Sequence, residues 1–380
     1  MAKDASGWVE EMLLTIDAEP WVERSPSPGS SGLGFSDVLG RTVRTGDWQE
    51  QKISTYDKIR SAINNHEVRA AAAFVDFFMD EADVIFGIFR QLIPDANEFL
   101  LKHGVEKNEI HGVNARILSI LKLPDGRPFK PRRLWEEFRA MRREMILLCG
   151  EQRFSEALTL LEDFKEAWRR IQDRDVDHLY GLINEIVLRF GESSLEEMWD
   201  FIIGPLFKMR YAKFDIDHVP WEESLKTNVY LCFESMRGHL VGPGRTGNME
   251  FEEDEKRYTF RFDPCGSGAR ILRGDAIEGS PPRIEAPYGW GVTKEKHDFA
   301  WNKEGVCYYW SNCCIAQQLK PIDAFGYPVR VVEPPTYPSE SAKKCTFHVY
   351  KDPKDVPEHY YEDVGRKKPS VFGGSHSTSK

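Results

Sequence analysis

The sequence predicts an α+β protein: a mostly helical N-terminal domain followed by a smaller, loop-rich domain of antiparallel strands that holds most of the cysteines. Three observations carry this. Apolar residues recur at helical spacing from about residue 54 to residue 240. Dense glycine and proline punctuation at Val241-Gly242-Pro243-Gly244-Arg245-Thr246-Gly247 then interrupts the pattern. Beyond it, runs such as Arg257 to Phe262 (RYTFRF) alternate with the period of a half-buried strand, and five of the seven cysteines, at 265, 307, 313, 314 and 345, lie there.

At 380 residues the chain exceeds the size at which one core stops growing, so two domains are expected. Residues 1–50 read as an irregular arm, centred on Ser25-Pro26-Ser27-Pro28-Gly29-Ser30-Ser31-Gly32. Residues 51–241 read as the helical domain, 248–352 as the cysteine-rich α+β domain and 353–380 as a polar C-terminal tail.

Within the helical part, Phe74, Phe77, Phe78, Ile85, Ile88 and Leu92 mark one face of a helix from Val68 to Ile93, which Pro94 is expected to stop. Further helices are expected over Asn97 to His103, Asn108 to Leu121, Pro131 to Cys149, Ser155 to Arg170 and Asp177 to Phe190. Ser194 suits the cap of another from Leu195 to Phe207, and Pro220 opens a last one to about Leu240. Strands are expected at Arg257 to Phe262, Val329 to Val332 and Thr346 to Tyr350.

The net charge of −10 gives no electrostatic reason to approach nucleic acid or an anionic membrane. No segment approaches the roughly 20 uninterrupted apolar residues of a spanning helix. The chain therefore reads as a cytoplasmic protein directed at a small-molecule substrate, with homo-oligomerisation left open.

Gly305 to Cys314, GVCYYWSNCC, packs three thiols into eight residues, and Cys265 sits in the turn-like Asp263-Pro264-Cys265-Gly266-Ser267-Gly268. Thiolate favours soft ions, so Cys265, Cys307 and one of Cys313 and Cys314 are expected to hold zinc, with iron as the alternative ion and His297 as a fourth ligand. Only one of the adjacent pair should serve, because neighbouring strand residues face opposite ways. Two other uses stay open: a reduced, buried core, and a nucleophilic Cys265 beside glycine amides.

For an enzyme working by hydrolysis or elimination, His297, Asp298 and Tyr309 are the candidates for proton transfer, and Arg270, Trp310 and His239 for substrate binding. The alternative is a non-catalytic binding or assembly protein with a structural zinc. Cys345-x2-His348 reads as a core cysteine with a surface histidine, since positions three apart in a strand diverge. The twin strings Asp175-Val176-Asp177-His178 and Asp215-Ile216-Asp217-His218 read as helix caps.

Overall fold

The structure is a computed structural model that describes residues 32–211, 219, 221–370 and 372, with residues 205–211 as backbone only. It is α+β. Leu33–Ser36 (β1) and Arg41–Arg44 (β2) form an antiparallel hairpin, followed by the short helix Trp48–Gln51 (α1). The part of the expected arm that falls in the described residues is thus regular.

Six helices follow: Thr55–Asn64 (α2), Val68–Lys102 (α3), Lys107–Ile120 (α4), Pro131–Gly150 (α5), Phe154–Phe190 (α6) and Ser194–Tyr211 (α7). The long pair α3 and α6 is the spine of the layer, with α2 and α5 packed on both. Ser54 caps α2 by accepting the Asp57 N–H at 3.0 Å, and Pro131 opens α5 from the first helical turn.

Two expected breaks are absent. The helix α3 runs through Pro94, because Leu92, Ile93, Ala96, Phe99 and Leu100 remain on one buried face. That packing outweighs the roughly 3 kcal/mol penalty of an interior proline. Likewise α6 is one helix of 37 residues. The charged run between Arg170 and Asp177 does not end it, because Arg90 pairs with Asp175 and partners from the second half of the chain pair with Asp173, Arg174 and Asp177.

Trp221–Gly238 (α8) leads to a four-stranded antiparallel sheet of Glu250–Glu253 (β3), Arg257–Phe262 (β4), Val331–Glu333 (β5) and Cys345–Tyr350 (β6), in the order β3-β4-β6-β5. Phe233 of α8 meets Phe260 of β4 at 4.9 Å between ring centroids, which seats the helix on the sheet. Between β4 and β5 lie Gly268–Arg273 (α9), Ser311–Cys314 (α10) and Lys320–Phe325 (α11), linked by irregular chain. One contiguous apolar core extends from Tyr56 to Val364 and includes both the helical and the strand parts. In the stretch expected as a polar tail, His359–Glu362 (α12) buries Tyr360 and Tyr361.

Candidate functional site

The middle of α6 places Arg169, Asp173 and Asp177 at steps of four, on one helix face. All three are buried, so each carboxylate must be matched inside the protein. Asp177 receives Arg270 Nη2 on Oδ1 at 2.7 Å and Arg270 Nη1 on Oδ2 at 2.8 Å. Arg283 also donates to it, through Nη2 at 3.0 Å. Asp173 receives Arg245 Nη2 at 2.8 Å and Arg169 Nη1 at 3.0 Å. Arg245 reaches it from a left-handed backbone position, φ 52°, a conformation a non-glycine residue keeps only when its surroundings enforce it.

Burial alone would raise both carboxyls, but the adjacent guanidinium charges outweigh it. Arg245, Arg270 and Arg169 hold Asp173 below the ordinary carboxylate range, and Arg270 and Arg283 do the same for Asp177. The cap reading of Asp175-Val176-Asp177-His178 is therefore overturned: these residues are mid-helix and buried. Asp215-Ile216-Asp217-His218 lies outside the described residues.

This network opens onto a cavity of about 100 Å³. Lys122, Arg174, Arg270 and Arg283 face it against Asp173, Asp177 and Glu278, with Ser280 and Tyr288 between them. Arg174 binds Glu278 with Nη2 at 2.8 Å. On the other side Arg283 Nη1 donates to Ser280 Oγ at 2.9 Å, and its guanidinium lies 4.4 Å from the Tyr288 ring centroid.

The Cys265 loop is tied to the same network. Arg270 Nε donates to Gly266 O at 3.1 Å. A Cβ on Gly266 would come within 2.4 Å of Gln172 Oε1 and 2.5 Å of Arg245 Nη2, so only glycine lets the loop approach α6. Cys265 Sγ accepts the Ala269 N–H at 3.2 Å.

Cys265, Cys307, Cys313 and Cys345 lie within one another's electrostatic reach. Burial first, then the neighbouring Cys265, pushes the Cys313 thiol up to about 12, and Cys307 and Cys345 are also raised well above the usual range. Cys314 turns away and donates to Asp298 O at 3.3 Å. The pair sits on α10, where adjacent side chains diverge by about 100°. Among the described residues, no group of three or more His, Cys, Asp or Glu is arranged to hold a metal ion.

The remaining residues singled out by sequence are dispersed. His297 Nε2 pairs with Glu192 at 3.0 Å. Asp298 accepts from Asn302 Nδ2 at 2.9 Å. Tyr309 is buried against Cys313, Cys307 and Cys265, and burial followed by those thiols raises its hydroxyl. Trp310 packs on Gly268. His239 Nδ1 meets Gln172 Nε2 at 3.0 Å. His348 is not a surface residue: it is buried, 3.0 Å from Thr259 Oγ1 and 3.5 Å from Glu333 Oε1.

A second polar cluster lies on another face of α6. Arg90 pairs with Asp175, and His178 Nε2 contacts Asn114 Oδ1 at 2.7 Å. Asn114 spends its amide hydrogens on Asn97 Oδ1 and Ile110 O, so its Oδ1 accepts and His178 Nε2 carries the proton. His178 Nδ1 and Asp175 Oδ2 have no protein partner among the described residues. Burial, opposed by Arg90, pushes Asp175 up to about 6, whereas burial together with Arg90 pushes His178 down to about 3.

Sequence reasoning missed Asp173, Asp177, Arg245 and Arg283. The signal available was the four-residue spacing of Arg169, Asp173 and Asp177 inside an unbroken apolar pattern, Trp168, Ile171, Leu179, Leu182 and Ile186. Among the described residues no helix is long and apolar enough to cross a membrane. Comparison with protein-family models, curated proteins and solved structures finds no match to the chain.

Proposed function

We propose that the chain binds a small anionic molecule in the cavity between α6 and residues 270–288. The observation that supports this is the lining itself: the basic residues Lys122, Arg174, Arg270 and Arg283 against the acidic residues Asp173, Asp177 and Glu278, one more base than acid by residue count. The guanidiniums of Arg270 and Arg283 are fixed by Asp177, so a ligand carboxylate meets donors already oriented, which lowers the ordering cost of binding. Isothermal titration of the full chain with small monocarboxylates, and with amines of equal size, tests this. Binding of the acids that weakens in Tyr288→Phe and Lys122→Ala is expected; binding of the amines alone would sink it.

The thiols carry a second proposal, the cysteine-ligated zinc-type centre for hydrolysis or elimination, with iron as the alternative ion. What favours it is the gathering of Cys265, Cys307, Cys313 and Cys345 from four segments of the chain. Against it stands the arrangement of those side chains, which is not set for an ion, so no chemical step is assigned to one. Elemental analysis of the purified chain decides: about one metal per chain supports the centre. Far less leaves a reduced, buried core or Cys265 as a nucleophile, held by the Ala269 N–H, and rapid alkylation of Cys265 in the native protein separates the two.

A further inference from the structure

The lining of the cavity also distinguishes among small anions, and this step rests on the anion-binding reading above. One wall consists of donors. Arg283 Nη2 carries two hydrogens and spends one on Asp177 Oδ2, and Arg270 Nη1 likewise makes a single bond, to the same oxygen. Ser280 Oγ accepts from Arg283, which leaves its own hydrogen to give. Tyr288 keeps its proton, because burial raises its hydroxyl, and its ring lies beside Arg283.

The lining also carries an acceptor. Glu278 Oε1 receives Arg169 at 2.9 Å and Arg174 at 3.2 Å, but Oε2 receives Arg174 Nη2 alone. A carboxylate oxygen has two lone-pair directions, so Oε2 has one to offer. Asp177 does not compete for this role, because each of its oxygens already receives two or more guanidinium bonds from Arg270 and Arg283. Asp173 Oδ1 receives Arg245 Nη2 alone but is fully buried, whereas the Glu278 side chain is 13% exposed.

Size sets the second limit. At roughly 10–15 Å³ per water-sized group, a cavity of about 100 Å³ takes a molecule of fewer than about ten heavy atoms. A plain carboxylate would satisfy the donor wall and leave Glu278 Oε2 facing an apolar chain, which costs desolvation without return.

We infer that the ligand is a small acid that also bears a hydrogen-bond donor, a hydroxy or an amino acid. Its carboxylate takes the wall of Arg283, Ser280 and Tyr288, and its hydroxyl or ammonium donates to Glu278. A charged donor to carboxylate is the stronger of the two bonds.

Calorimetric titration of the full wild-type chain with propanoate, lactate and alanine tests this without relying on any variant. Lactate or alanine should bind at least about tenfold more tightly than propanoate, the equivalent of one such hydrogen bond. A gain for alanine alone assigns the amino acid, and a gain for lactate assigns the hydroxy acid. In Glu278→Ala the advantage should vanish while propanoate still binds, which also shows that the variant is folded. Equal affinity of the three acids for the wild type overturns this inference and leaves the anion reading standing. Failure of all three to bind overturns both.

Discussion

The indole of Trp310 lies against the Cα of Gly268 so closely that a Cβ built on that glycine would sit 1.6 Å from the ring. Trp310 is itself buried, so the ring has no free space to retreat into. Gly268→Ala should cost more than about 3 kcal/mol by overpacking and backbone displacement, read as a lower urea midpoint. Gly87, an exposed position within α3 where an added Cβ meets nothing within 4 Å, is the counter-case. Gly87→Ala should stabilise by about 0.5–1 kcal/mol, and the two results together test packing against helix propensity.

Removing the charge of Asp177 leaves Arg270 and Arg283 buried with too little negative charge. Asp177→Asn should destabilise by roughly 3–5 kcal/mol, and because the group is shielded from solvent the loss should change little between low and high salt. Asp177 has a depressed pKa in the fold. Its contribution is therefore complete above the ordinary carboxylate value and disappears as pH falls below it. Urea titrations from pH 7 towards acid, with and without the substitution, should show a constant difference above the ordinary carboxylate value that narrows as pH falls through the depressed one; a difference that widens towards acid contradicts the assignment.

His178 and Asp175 should bend the pH profile in opposite directions. His178 is held near 3, below the ordinary 6.5, so its share of stability is intact above pH 6.5 and is lost as pH falls from there towards 3. That share is on the order of 5 kcal/mol. Asp175 is held near 6, above the ordinary 3.8; its share is full below pH 3.8 and is lost as pH rises through 6, on the order of 3 kcal/mol. His178→Gln should flatten the acid side of the stability profile, and Asp175→Asn should remove the decline between pH 4 and 6. Parallel profiles for the two variants and the wild type would refute both.

Glu192 accepts the Lys294 N–H at 2.7 Å, the Glu295 N–H at 3.2 Å and the Tyr308 hydroxyl at 3.1 Å, besides pairing with His297. It fastens the irregular chain before α10 to the end of α6. Glu192→Ala should lose about 2–3 kcal/mol, as several charge-assisted bonds go at once. Amide exchange is the sharper readout, with faster exchange expected at Lys294 and Glu295 and little change along β4.

Thiol accessibility gives a count. Cys307, Cys314 and Cys345 are buried and raised well above the usual range, and Cys313 is raised to about 12. Since the thiolate is the reactive form, iodoacetamide at neutral pH should leave these four unmodified in the native chain and label all seven after unfolding. Mass spectrometry of the labelled protein identifies the sites, and fast native labelling at Cys307 or Cys313 would show that the thiol cluster is open.

Helices were legible in the sequence wherever the apolar face carried the signal, as along α5 with Trp135, Phe138, Met145 and Leu148. Boundaries failed where tertiary packing overrode a local breaker, at Pro94 and at the charged turn of α6. The thiol cluster was half legible. Segregation of the cysteines pointed to Cys265, Cys307 and one of Cys313 and Cys314, without telling which, whereas Cys345 joins them through the β4–β6 register, Phe262 opposite Cys345, which spacing does not encode. The ion network was not legible because its halves are separated by 72 residues for Asp173 and Arg245 and by 106 for Asp177 and Arg283. Seen locally, Asp177 resembled a helix cap, and Arg270 a substrate-binding residue with no carboxylate beside it.

That separation also orders events during synthesis. The ribosome completes α6 with Asp177 still unmatched and Asp173 facing only Arg169, and the last of their partners, Arg283, follows Asp177 by 106 residues. At about 5–20 residues per second this is a delay of roughly 5 to 20 seconds. Through that interval the nascent helix must keep its acidic face in water. Its final enclosure is postponed until the second half of the polypeptide arrives, which makes the neutralising arginines a checkpoint on a nearly finished chain.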